Sequence, residues 1–165
     1  MAGNGNIDFF CLECYTDKSE VNTLQTEVIK IDRENMDLDA LKRAGEILKS
    51  GGLVAFPTET VYGLGGDGLH EESSRKIYEA KGRPSDNPLI VHVADMEHLE
   101  KIVKKVPKAA YKLAEAFWPG PMTMILEKND LVPYGTTGGL DTVAIRMPSD
   151  PIALELIRQG GGYIA

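Results

Sequence analysis

The sequence predicts an α/β or α+β fold, and three observations lead there. Short apolar runs of strand length alternate with segments whose apolar residues recur at helical spacing. Capping residues and glycine or proline stops bracket those segments. The chain has 165 residues and no internal repeat, which argues for one domain. A chain of that length can bury roughly 70% of the surface it exposes when unfolded.

Taken in order, residues 1–25 hold four acids and one base and read as an appended, poorly ordered extension. From Thr26 the pattern tightens. Residues 27–31 (EVIKI) read as a strand. Residues 37–49 read as a helix with Leu38, Leu41, Ala44 and Leu48 on one face, Asp37 as N-cap and Gly51-Gly52 as the stop. Residues 53–56 are an apolar run of strand length. Residues 73–80 form a short helix ended by Gly82 and Pro84. Residues 89–93 read as a buried strand. Two helices follow, 96–104 and 108–117, separated by Pro107, and then strands at 122–126 and 143–147. Residues 150–159 read as a helix with Pro151 at its first position, ended by residues 160–162. Residues 163–165 open a further strand, an element unfinished at Ala165.

Composition narrows the function classes. Hydrophobic content of 42% and charged content of 26% are those of an ordinary soluble globule. No apolar run approaches the ~20 residues of a membrane-spanning helix. The first residues lack the basic and apolar regions of a secretory signal, which predicts a cytoplasmic protein. The net charge of −7 does not favour non-specific nucleic-acid binding. One local exception is a lysine series, Lys101, Lys104, Lys105, Lys108 and Lys112, whose offsets suit one helical face that Pro107 interrupts. A solvated face is the plainer reading and a weak RNA patch the sharper one. Cys11 and Cys14 form a single CxxC with no second pair to complete a zinc site, and read as two reduced thiols.

The chemistry concentrates between residues 51 and 93. Gly63, Gly65 and Gly68 match the spacing of a dinucleotide loop, but the helix opens too late and the segment about 20 residues on is basic. The glycines then read as a tight turn that needs positive φ. Lys81 and Arg83 flank Gly82, and Pro84 biases Arg83 toward an extended backbone. Projecting together, the two cations would clamp a polyphosphate, each charge-assisted bond contributing on the order of 1.5–3 kcal/mol. Asn87, four positions on, could bond phosphate or base. The alternative is a solvated loop. His92 shares a strand face with Ile90, and among aliphatic neighbours the plainer reading is a hydrogen-bonded core histidine. Thr58 and Thr60 share a face in P-T-E-T, where their hydroxyls could bond a ligand or cap a turn. Arg146 lies in the apolar strand V-A-I-R-M-P and needs a partner: an anionic ligand such as a carboxylate, or else Glu59 or Asp141. The F-W-P-G-P-M-T segment reads as a rigid turn that supplies shape.

Together PTETVYGLG, KGRPSDNPLIVHV, FWPGPMT and TVAIRMP, in this order, resemble the YrdC-like threonylcarbamoyl-AMP synthase family over residues 26–165. The resemblance implies a twisted mixed sheet flanked by helices around a concave, positively charged cavity for nucleotide and amino acid. It implies a nucleotidyltransferase that joins L-threonine, bicarbonate and ATP, releases pyrophosphate, and passes threonylcarbamoyl-AMP to a tRNA-modifying transferase complex. It assigns Thr60, His92 and Arg146 to threonine, and Lys81, Arg83, Asn87 and Thr142 to ATP. Lys81 and Arg83 also carry the catalytic role. Magnesium would arrive with the ATP, with no metal bound by the protein itself. The family continues past a strand like YIA with a P-S-A-N type segment whose Ser and Asn complete the nucleotide site. The resemblance therefore also implies a domain incomplete at its C-terminus. The alternative function is an inactive truncated module that binds nucleotide or double-stranded RNA.

Overall fold

Alternating patterns and caps become elements much as the sequence directs. The computed structural model describes residues 7–14, 25–59 and 61–165. Its strands are β1 (Ile7–Cys14), β2 (Gln25–Asp32), β3 (Leu53–Phe56), β4 (Gly63–Gly65), β5 (Ile90–His92), β6 (Thr123–Glu127) and β7 (Thr142–Arg146). Its helices are α1 (Leu38–Lys49), α2 (Glu71–Lys81), α3 (Met96–Ile102), α4 (Lys108–Phe117), α5 (Tyr134–Thr137) and α6 (Pro151–Gln159). Asp37 caps α1 by accepting from the Ala40 N–H. Asp150 caps α6 by accepting from Ile152 and Ala153, with Pro151 in the first turn as read from the sequence.

The fold is the expected mixture of strands and helices, with its strands in two small sheets. One has the order β2-β1-β3-β4 and is antiparallel throughout. The other has the order β5-β7-β6, with β5 parallel and β6 antiparallel to β7. Residues 163–165 join them. Ile164 exchanges backbone hydrogen bonds with His92 at 2.7 and 3.1 Å, and Ala165 exchanges them with Gly66 at 2.9 and 3.1 Å. The short terminal run thus behaves as the strand the sequence suggested, lying between the sheets. One core cluster, with Leu41, Leu48, Phe56, Ile152 and Ile164, gathers α1 and α6 against the first sheet. The second, with Val91, Leu99, Ile102, Val143 and Ile145, fills the space under the second sheet.

Three expectations change. Ile7–Cys14, expected as part of a poorly ordered extension, is an inner strand hydrogen-bonded to both β2 and β3. Cys11 and Cys14 accordingly lie in extended backbone rather than opening a helix, the placement of a redox CxxC. Gly63, Gly65, Gly66 and Gly68 are not among the positive-φ glycines. They serve close approach instead: a Cβ on Gly65 would lie 2.4 Å from Ile164 Cγ2 and 2.8 Å from Phe56 Cε1. The lysine series does not share a helical face, because α3 ends at Ile102 and α4 begins at Lys108. Within it, Lys101 pairs with Glu97 at 2.7 Å and Lys104 with Glu127 at 2.6 Å.

Candidate active site

The site is built around the end of α2. Gly82 takes a left-handed conformation at φ 58° and its N–H bonds the Glu79 carbonyl. The Arg83 N–H reaches back to the Tyr78 carbonyl at 3.0 Å. These two bonds form a Schellman ending, which glycine permits without a Cβ penalty. The loop beyond is pinned again, since the Tyr78 hydroxyl donates to the Asn87 carbonyl at 2.8 Å. Gly138 packs against the same loop so tightly that a Cβ there would lie 2.8 Å from the Asp86 carbonyl oxygen. Lys81 is therefore helical and Arg83 lies just past the turn, so the alignment comes from the Gly82 turn and not from an extended K-G-R.

Lys81, Arg83, Asn87 and His92 line one cavity of about 330 Å³, with Thr58, Phe56, Leu64 and Ala165 among its other walls. Neither the Lys81 amine nor the Arg83 guanidinium has a hydrogen-bond or ion-pair partner among the described residues. Burial in the cavity wall, and next the charge of Arg83, push the Lys81 amine below its usual pKa. Two uncompensated cations beside each other make an anion site. A larger groove of about 690 Å³ lies on the other side of the K-G-R turn and shares Arg83. Glu71, Glu72, Glu79 and Asp86 line it with Arg75, which is paired to Glu72 and Glu79. The smaller cavity has Lys81 and Arg83 and, among the described residues, no acid in its wall, so it is the candidate.

His92 and Arg146 are register partners on the parallel strands β5 and β7. The His92 ring meets Phe56 edge-on, with centroids 5.9 Å apart. Burial, then the neighbouring Arg146 charge, lower its pKa to about 4, so the imidazole is neutral near pH 7. Its Nδ1 is buried and has no partner among the described residues. This differs from the plainer reading of a hydrogen-bonded core histidine. Arg146 takes Glu59, one of the two acids the sequence offered, as its ion-pair partner. Asp141 instead accepts from the Tyr134 hydroxyl at 2.8 Å. Arg146 Nε also donates to the Gly120 carbonyl at 3.4 Å, so the F-W-P-G-P turn presents a carbonyl to the site as well as shape.

Thr58 lies in the cavity wall, and its hydroxyl also closes a turn with the Val61 backbone. Thr60 lies outside the described residues. Thr142 opens β7, and neither it nor Arg146 is among the residues lining the cavity. Sequence reasoning missed Ser149, whose N–H and hydroxyl both donate to Glu59. It also missed Phe56, Leu64 and Ala165 as the apolar wall. Nothing in their local pattern distinguishes them from core residues, since only the inter-sheet junction brings them to the cavity.

Comparisons with known proteins bear on the family and the fold. The sequence model of the Sua5/YciO/YrdC family, which carries the description "Telomere recombination", matches residues 46–165. The threonylcarbamoyl-AMP synthase of Pyrococcus abyssi is 54% identical over 125 residues, covering 76% of this chain and 37% of that protein. The enzyme of the same name from Bacillus subtilis is 52% identical over 126 residues, covering 76% and 36%. The chain thus spans a little over a third of the length of these relatives. P. abyssi Sua5 complexed with L-threonine superposes with a TM-score of 0.78 at 51% identity, over 79% of this chain and 38% of that one. E. coli YciO superposes with a TM-score of 0.70 at 26% identity, over 79% and 63%. Matched by its family model over most of its length, the chain belongs to the Sua5/YciO/YrdC family.

Proposed function

We propose that this chain carries the amino-acid and nucleotide site of a threonylcarbamoyl-AMP synthase, which makes threonylcarbamoyl-AMP from L-threonine, bicarbonate and ATP. The observation that carries the reading is the grouping of two unpartnered cations, Lys81 and Arg83, with Asn87 and His92 around one cavity. Support comes from a relative at 51% identity whose structure holds L-threonine.

Threonine and bicarbonate first give N-carboxythreonine. One of its carboxylate oxygens attacks the α-phosphorus of ATP as the bond to the bridging oxygen of the pyrophosphate breaks. Negative charge builds on the phosphate oxygens, where Lys81 and Arg83 stabilise it, presented from a backbone that the Schellman turn fixes. Asn87, in the cavity wall, contacts the nucleotide, and Thr142 would reach it only from outside that wall; Arg146, His92 and Thr60 hold threonine. Bound ATP also removes the mutual repulsion of Lys81 and Arg83. Magnesium would enter on the phosphates of ATP. The product passes, in the cytoplasm, to a tRNA-modifying transferase complex. The paired Lys101 and Lys104 and the net charge of −7 speak against the RNA-binding alternative.

Titration of the chain with ATP and magnesium tests this. Lys81→Ala and Arg83→Ala should each weaken binding by about tenfold or more, the worth of one charge-assisted contact. Equal affinities in wild type and both variants would sink the assignment.

A further inference from the structure

Glu59 stands outside the residues assigned to ligands, yet both of its carboxylate oxygens are engaged. Oε2 accepts from Arg146 Nη2. Oε1 accepts the Ser149 N–H at 2.5 Å and the Ser149 hydroxyl at 3.1 Å. The pair is shielded, with side-chain exposures of 13% for Arg146 and 17% for Glu59, so it is not a weak surface bridge. Burial would raise the Glu59 carboxyl, but the Ser149 N–H, the Arg146 charge and the Ser149 hydroxyl outweigh it and hold the group below the usual carboxylate range.

The geometry has a direction. A guanidinium is a rigid fork of five N–H donors. Its Nε–Nη2 edge is taken by Gly120 and Glu59. Nη1 has no partner among the described residues, and the neighbouring His92 Nδ1 is also unpartnered and buried. A buried imidazole nitrogen left without a partner is costly unless something binds there.

We propose that Glu59 is a positioning residue: it holds Arg146 by its Nε–Nη2 edge and so offers Nη1, beside His92, to the carboxylate of the amino-acid substrate. Through Ser149 it also ties the segment after β3, which carries Thr58, to the end of β7. This inference rests on the proposed function, since it takes threonine as the ligand of Arg146.

The test compares L-threonine with L-threoninamide, which lacks only the carboxylate, by calorimetric titration of the chain. Wild type should prefer threonine, and Arg146→Met should lose the preference. Glu59→Gln should lower the threonine-to-threoninamide affinity ratio about tenfold while leaving ATP affinity and the thermal midpoint little changed. A residue with only a structural role would weaken both amino acids and ATP together. If Glu59→Gln does not fold cooperatively, Ser149→Ala removes a single bond to Glu59 and should lower the same ratio about twofold to threefold. An unchanged ratio in these variants, with Arg146→Met losing it, overturns the role of Glu59 and leaves the proposed function standing. A wild type that binds neither compound overturns both.

Discussion

At the residue scale the site is marked by polar groups that line one cavity without partners among the described residues. Arg75, Arg43 and Lys104 sit in exposed ion pairs, each worth little on its own. Among the described residues the side chains of Lys81 and Arg83 have no ion-pair partner, and His92 has none for Nδ1. The histidine makes a pH prediction. Its folded pKa of about 4 lies below its ordinary 6.5. Between these values the unfolded chain binds the extra proton, so stability is present above pH 6.5 and is lost as pH falls toward 4. From pH 6.5 to about pH 5 this should cost about 2 kcal/mol, before carboxylates with lowered pKa values such as Glu59 begin to protonate. Urea unfolding should show that loss in wild type, and His92→Gln should largely abolish it. A slope identical in both proteins would contradict a buried neutral imidazole. Much of this scale was legible in the sequence: a cation in an apolar strand demanded a partner, and Glu59 was one of two named. The orphan Nδ1 was not legible, because it depends on Phe56 and Ile164 closing over the ring from distant parts of the chain.

At the element scale glycines act in two distinct ways, and substitution separates them. Gly82 needs its left-handed φ of 58°, but a Cβ there meets nothing within 4 Å. Gly82→Ala should therefore cost only about 1 kcal/mol of strain, while re-aiming Lys81 and Arg83 and weakening ATP binding more than that figure suggests. Gly65 is the reverse case, with ordinary φ and no room. Gly65→Ala should cost about 1–3 kcal/mol by overpacking against Ile164 and Phe56, read as a lower urea midpoint. A milder effect for Gly65→Ala than for Gly82→Ala would contradict this division. The caps were readable in advance, since Asp37 and Asp150 precede amphipathic runs and each accepts the N–H bonds a cap should. Asp150 also pairs with Arg33 at 2.9 Å, a tertiary contact that no local pattern announces. The brief β4 and α5 escaped the sequence reading because three or four residues show no period.

At the scale of the whole molecule the two sheets depend on residues 163–165. Ile164 is fully buried and bridges both Asp67 and His92. Ile164→Ala should cost about 2–5 kcal/mol and, because the adjoining Ala165 lines the cavity, should also loosen the site. The division into two sheets, and the place of Ile7–Cys14 inside one of them, rest on pairings between segments far apart in sequence. Alternation predicts strands but not their neighbours, so those features lay beyond the sequence reading. The motifs around residues 57–65, 81–93 and 142–147 were legible because their chemistry is local, and the fold brings most of them together. The central claim, a chain that holds threonine and ATP for adenylation, is tested most directly by pyrophosphate release from ATP. The account predicts release that requires both L-threonine and bicarbonate and that falls to background in Arg83→Ala. Release that ignores threonine and bicarbonate, or no release above the Arg83→Ala background, would contradict it.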